Sequence, residues 1–457
     1  MRPLLVCLIL SLLSVASRAQ YGASEYTIER WDEDYSYLIS GGGGDLFDPL
    51  KYIPLGNNTD WYLSLGGQAR ERYDYFNNSA FGSGRQDEDG FRLTRLLAHV
   101  DAHFGPSFRT FVQIQASRVD DRLVGPRPGD ADDIDFLQAF ADLKLSLGDF
   151  ASVVIRVGRQ DLIYGAQRLV SPNDWVNARR SFDGAKVSFL WPDSATDIFV
   201  TRPAIIDKSR LNSDDDDAWF AGIYNVTALP GILPAGHSKL DLYLLGLGRN
   251  KTTSNLADMQ TYTLGARFHT TPAPWDFDIE ADGQFGQIGS DSIGAWALAA
   301  EVGYTFSDVA WTPRASLGLD MASGSSDSAH RFNQLFPPQY LYLGHMYLLG
   351  RENLIDLHSG LKLNLTKDLF LSAEEHIFWR QNTRDAPYDL NGGVVRTSGG
   401  SHAASIGNEF DVAMNWQIQR HVSAYVGYAH FVTSSFINQT GPHSDIDFFY
   451  AAITFTF

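Results

Sequence analysis

From Trp61 to Phe76 the chain alternates. Trp61, Leu63, Leu65, Ala69, Tyr73 and Tyr75 hold odd positions, interrupted by Glu71, while Ser64, Gln68, Arg70, Arg72 and Asp74 hold even ones. Successive side chains of a strand point to opposite faces, so this is a strand with one apolar face, aromatic at its ends, and one charged face. Its length far exceeds the ~5–6 residues of a typical globular strand and suits a strand crossing a bilayer at a tilt. The pattern recurs. Leu96, Ala98, Val100, Ala102 and Phe104 alternate with Arg95, His99, Asp101 and His103. Phe108, Val112, Ile114 and Ala116 alternate with Arg109, Gln113, Gln115 and Ser117. Leu137, Ala139, Ala141, Leu143 and Leu145 alternate with Gln138, Asp142 and Lys144, and Val153, Ile155 and Val157 flank Arg156.

The connections between these strands alternate in length. Asn77–Gly90, Asp120–Ile134 and Leu162–Ser181 are long, whereas Gly105–Ser107, Leu147–Phe150 and Trp191–Ser194 are short. Later, Ala322–Glu352, Gln381–His402 and Ser434–Asp445 are long and Thr366–Asp368 and Gln419–Arg420 short. One connection breaks the rhythm: Thr227–Ser238, short by parity, is long and holds Pro230 and Pro234. Short periplasmic turns facing long extracellular loops are the rhythm of an outer-membrane barrel, and the expected fold is an all-β, transmembrane antiparallel β-barrel of about eighteen strands. Phe449, Ala451, Ile453, Phe455 and Phe457 form one face of the final strand, and Phe457 is the expected signal to the barrel-assembly machinery. Forty-one glycines and 59 aromatic residues fit this class, and after the N-terminus no stretch approaches the ~18 apolar residues of a membrane helix.

Residues 1–19 read as a signal peptide: Arg2, an apolar core from Leu4 to Val15, and small residues at Ser17 and Ala19. The single cysteine, Cys7, lies inside it, so the mature chain has no thiol for a disulfide, a metal or a nucleophile. Residues 20–60, with Gly41–Gly44, Pro49 and Pro54, read as an irregular periplasmic segment that is either a tail or a plug. Residues 61–457 are the barrel, located in the bacterial outer membrane.

The charged faces of such strands line the lumen. Parity places Arg70, Arg72, Arg95, Arg109, Lys144, Arg156 and Lys186 there, against fewer acids, Asp74, Asp101 and Asp142. The chain carries a formal net charge of -18, and acids gather in loops at Asp87–Asp89, Asp130–Asp135 and Asp214–Asp217. The expectation is an acidic exterior around a cationic pore, since arginine and lysine rings select anions and the arginine fork binds carboxylates bidentately. The alternative is that these arginines pair with acids simply to fill the barrel.

The run RVGRQDLIYGAQRL…DWVNARRSFDGAKV, together with LGGQARERYDYF, RLLAHVDAHFG, GPRPGDADDIDFLQAF and ENLIDLHSGLKLNL, resembles the alginate-export family of outer-membrane porins from about Trp61 to Phe457. The resemblance implies a monomeric eighteen-stranded barrel whose arginine-lined constriction conducts an anionic polysaccharide, polymannuronate or alginate, outward. By position it implies that Arg70, Arg72, Arg95, Arg156, Arg159, Arg168, Arg179 and Arg180 contact the polymer, oriented by Asp161, Asp174 and Asp183. Parity puts Arg118 and Arg159 on apolar faces unless a bulge intervenes. The gate is expected in Leu162–Ser181, in Ala322–Glu352, or in a periplasmic connection, with Thr227–Ser238 favoured as a plug.

Other chemistry is poorly represented. No G-x-S-x-G elbow occurs, and His99 and His103, ~13 Å apart along a strand, do not share a metal. No enzyme, no cofactor and no nucleic-acid partner is expected. The acidic loops at Asp130–Asp135 and Asp214–Asp217 could hold calcium through carboxylate oxygens, against the alternative of plain solvated loops. Besides the polymer, the expected partners are outer-membrane lipid and periplasmic export components. The competing readings are a porin for small organic anions and a structural or enzymatic barrel.

Overall fold

The computed structural model describes residues 26–41, 43–84, 88–123, 125–148, 150–232, 237–252, 257–271 and 274–457; the expected signal peptide, residues 1–19, and residues 20–25 lie outside them. Eighteen long strands form one antiparallel sheet: β1 Trp61–Asn77, β2 Glu88–Phe104, β3 Phe108–Asp120, β4 Asp132–Ser146, β5 Ser152–Gln160, β6 Phe182–Leu190, β7 Ser194–Ile205, β8 Ala218–Ala228 and β9 Ser238–Arg249. The second half is β10 Met259–Thr270, β11 Trp275–Ile288, β12 Asp291–Thr305, β13 Arg314–Ala322, β14 Leu354–Asn364, β15 Leu369–Trp379, β16 Ser405–Gln419, β17 Val422–Thr433 and β18 Ile446–Thr456. Each strand pairs with its sequence neighbour, and β1 pairs with β18 from Gln68↔Thr456 to Asn77↔Asp447, which closes the barrel. Closure removes every sheet edge, the condition for placing β structure in lipid.

The alternation read from the sequence is the in-and-out alternation of this wall. On β10, Leu264 is 61% exposed while its neighbour Thr263 is fully buried. The start of β1 and the end of β18 lie at the same mouth. From there the connections alternate as expected, with two departures. Thr227–Ser238 is long but includes residues outside the described set, so its expected role as a plug is not placed; its described residues Pro230, Gly231 and Ile232 are exposed. On the opposite rim, β11 and β12 are joined by only Gly289 and Ser290.

The lumen is not open. From the outer rim, the loop between β5 and β6 (L3, residues 161–181) and the loop between β13 and β14 (L7, residues 323–353) fold inward and meet. Val170 and Phe336 form a β-bridge, and the rings of Trp175 and Tyr340 stack at 3.8 Å with planes 3° apart. From the other mouth the segment 26–51 enters. It holds short helical turns at Arg30–Asp32, Ser36–Ser40 and Asp48–Lys51. Arg30 donates to Phe457 O at 2.8 Å and to Gly67 O, and Tyr26 Oη bonds His421 at 2.9 Å.

Replacing Leu264 with arginine puts a charge at mid-strand on the lipid face. A loss of about 2–4 kcal/mol is expected, read by urea unfolding in liposomes; a loss no larger than at a rim position would mean that this face does not meet lipid.

Candidate functional site

The cations of β1 to β6 form two tiers on one wall. In the upper tier Arg70 and Arg95 are directly opposite each other across the β1–β2 ladder. Like charges so placed repel unless something negative lies between them. L3 supplies it. Asp174 O accepts from Arg70 at 3.0 Å and from Arg95 at 2.9 Å, Val176 O accepts from both, and the Asp174 carboxylate lies 3.0 Å from Arg95. Arg72 lies over the Trp175 ring at 4.3 Å, donates to Trp175 O, and pairs with the buried Asp74 at 3.0 Å. Arg179, within L3, bonds Asp161 and lies 3.5 Å from Asp174.

The lower tier, toward the mouth where β1 begins and β18 ends, is a row across four strands. Arg109 faces Asp142, Asp142 faces Arg156, and Arg156 faces Lys186. Asp142 accepts from Arg156 through both oxygens at 2.8 Å and from Arg109 at 2.5 Å. Lys186 lies 3.4 Å from Asp197, and Lys144 lines the cavity below. Trp31 of the N-terminal segment covers this row. Its ring is 3.8 Å from the Arg156 guanidinium, 5.4 Å from that of Arg109 and 5.9 Å from Lys186 Nζ. Arg156 is thereby sandwiched between Trp31 and Phe140, contacts worth up to ~2 kcal/mol when dehydrated.

The facing wall is acidic, which corrects the expectation of a cationic pore. Asp276, Asp278, Glu280 and Asp282 alternate along β11 toward the lumen, and Asp241, Glu301, Asp320, Asp356, Glu374, Glu409 and Asp411 continue it on neighbouring strands. The signal was visible as WDFDIEADG, four acids at spacing two. It was masked by the denser acidic runs in the loops. L3 touches this wall as well: Arg168 lies 3.0 Å from Asp278 and 2.8 Å from Glu280. The loop is a crossbar with anionic and carbonyl groups at the cationic wall and a cation at the acidic wall. A cavity of about 1710 Å³ remains beneath it, lined by both walls and by residues 26–37.

Two implied polymer contacts lie elsewhere. Arg159 pairs with Asp183 at 2.7 Å, on the outward face shared with Ala139, and also donates to Asn212 O. The structure therefore corrects both Arg159 and Asp183 to the outer wall. Parity along β5 agrees with this placement; the position of Arg159 in a run of arginines does not. Arg180 donates to Ser171 O and Pro337 O and lies over Phe336, holding L3 to L7 rather than facing the cavity.

A barrel with inward loops is the architecture of an outer-membrane channel, and the solved structures that resemble this one include barrels from Pseudomonas aeruginosa. OccK2 (OpdF) in complex with glucuronate is 10% identical, TM-score 0.59, over 86% of this chain and 97% of that one. OpdK with vanillate is 10% identical, TM-score 0.56, over 86% and 98%, and OccD3 (OpdP) 11% identical, TM-score 0.55, over 89% and 92%. No curated protein is similar in sequence. The alginate export family model matches residues 61–450, and the chain belongs to that family. It is an outer-membrane protein of the transport-porin type rather than of an enzyme family.

Burial pushes the Glu29 carboxyl, on the docked segment, up to about 7 against the pull of Lys186, Arg156 and Arg179. A carboxyl raised on docking favours the docked state at low pH, and that contribution is lost as pH rises from about 4.5 to about 7. Open probability in planar bilayers should therefore rise across this window, and Glu29→Gln should flatten the rise. A pH response unchanged in the variant would remove Glu29 from the account. Deleting residues 26–41 should raise single-channel conductance at every pH; an unchanged conductance would mean that the segment does not occlude the path.

Proposed function

We propose that this channel exports an anionic polysaccharide of the alginate or polymannuronate kind, passing along the wall of Arg70, Arg95, Arg156 and Lys186. The observation that carries this reading is the Arg70–Arg95 pair. Two guanidinium groups face each other, and the oxygens they share, Asp174 O and Val176 O, belong to an inward loop; the wall itself adds only Gln68 Oε1, at 2.8 Å from Arg95. No carboxylate of the described residues pairs directly with Arg70. If L3 withdraws, the pair is left as a carboxylate site, and the lower tier continues it toward the periplasmic mouth once Trp31 leaves. Family membership supports a polysaccharide as the substrate. Delivery by periplasmic export components and a monomeric state belong to the same proposal.

A second reading, a porin for small organic anions, is favoured by the extent of internal pairing. Arg72, Arg95, Arg109, Arg156, Arg168 and Arg179 each have a carboxylate partner within the barrel, so the pore carries less free positive charge than its arginines suggest. A barrel of the same architecture has been captured with glucuronate.

Reversal potentials and oligomannuronate block in planar bilayers separate the two. The exporter predicts anion selectivity, block by the oligomer far below the concentration at which a monomeric uronate blocks, and weakening of that block in Arg70→Ala and Arg95→Ala. Equal block by monomer and oligomer would select the small-anion porin. Cation selectivity without block would overturn both.

A further inference from the structure

We propose that Asp356, His358 and His376 form a lumenal binding site for a first-row divalent transition metal of the zinc type. The three residues come from two adjacent strands. Asp356 and His358 point inward from β14, and His376 of β15 is the direct cross-strand partner of His358. Both imidazoles turn the same nitrogen to one oxygen: His358 Nδ1 lies 3.0 Å and His376 Nδ1 2.9 Å from Asp356 Oδ2, and donor atoms of all three residues lie within 4.8 Å of one another. Tetrahedral ligands around zinc, at ~2.0–2.1 Å from the metal, are roughly 3.3 Å apart, so each nitrogen needs to move from the shared oxygen by only a few tenths of an ångström.

Three features distinguish this cluster from an ordinary histidine–aspartate pair. Asp356 is fully buried, and its second oxygen, Oδ1, has no hydrogen-bond partner among the described residues. That leaves acceptor capacity beside the shared Oδ2, in a place where an unmet carboxylate oxygen is costly. The outward nitrogens of both rings face carboxylates, His376 Nε2 at 3.6 Å from Glu374 and His358 Nε2 at 3.8 Å from Glu301. This is the outer shell that orients metal-bound imidazoles and raises their basicity. Finally, both histidines line the large cavity, which gives an ion a route in. Two nitrogen donors and one oxygen suit zinc, cobalt or copper better than the oxygen-seeking calcium or magnesium. Along-strand spacing does not reveal the site, because the third ligand comes from the next strand.

Tag-free protein in detergent, stripped with a chelator and titrated with Co2+, tests the site. One Co2+ per chain with a tetrahedral visible spectrum, displaced by Zn2+, is the expected result. The spectrum should be lost in His358→Gln and His376→Gln, and Glu374→Gln should weaken binding about tenfold. Heat-modifiability on gels shows which variants have folded, and the partly exposed His358 is the safer of the two. Absence of the Co2+ spectrum from wild-type protein, or its survival in folded His358→Gln, would overturn the proposal and leave the cluster as an internal ion-pair network.

Discussion

Two like-charged guanidinium groups facing each other across a ladder cannot stay unanswered inside a barrel. The Arg70–Arg95 pair obliges something negative to enter the lumen, and the part of the chain able to reach it is L3. The same demand arises with opposite sign on the far wall. There Asp278 faces Glu301, Asp320 faces Asp356 and Glu374 faces Asp411. The crossbar reaches both walls, through Asp174 and its neighbouring carbonyls on one side and through Arg168 on the other, where Arg267 and Arg314 of the wall and Arg351 of L7 also meet the acids. L7 then has a surface to pack on, and the Trp175–Tyr340 stack joins the two loops. Closure of the pore combines this electrostatic demand with apolar packing, since Leu169, Val170 and Trp175 of L3 and Phe332, Phe336 and Leu343 of L7 are buried against the wall. Buried pairs of this kind contribute little net stability, since desolvation offsets the attraction, but removing one partner is expensive. Such an arrangement fixes where a loop sits without making it hard to exchange for another ligand of the same charge.

The barrel was legible because lipid on one side and water or protein on the other impose period two, and few sequences satisfy that by accident. Strand number, direction and closure all follow from it. The cationic wall was legible for the same reason. The acidic wall was present in the same code at Asp276, Asp278, Glu280 and Asp282, yet loop acids of higher local density obscured it. Arg159 shows the reverse failure, where parity was correct and cluster membership misled. What no periodicity conveys is where a long loop goes. The residues of L3 resemble a surface loop, and their destination depends on complementarity with side chains a hundred positions away, such as Arg168 with Asp278 and Glu280.

The N-terminal segment illustrates a further limit. Its glycines and prolines describe an irregular chain equally well in solvent or in a pore. Its placement rests on Trp31 over three cations and on Arg30 bonded to the carbonyl of Phe457. Neither contact has a sequence signature, since each joins parts of the chain that become neighbours only when the barrel closes.

Trp31 and L3 are both tethered to the wall they cover. A tethered ligand acts at an effective concentration in the millimolar range, so a single small anion arriving from solution competes poorly with either. A chain bearing one carboxylate on every sugar does not compete once. Each residue it seats raises the local concentration of the next, and it can displace the crossbar and the aromatic cover in succession. On the export function proposed above, such a pore would discriminate by valency: it would measure the number of linked charges on a solute, not the charge of any one of them.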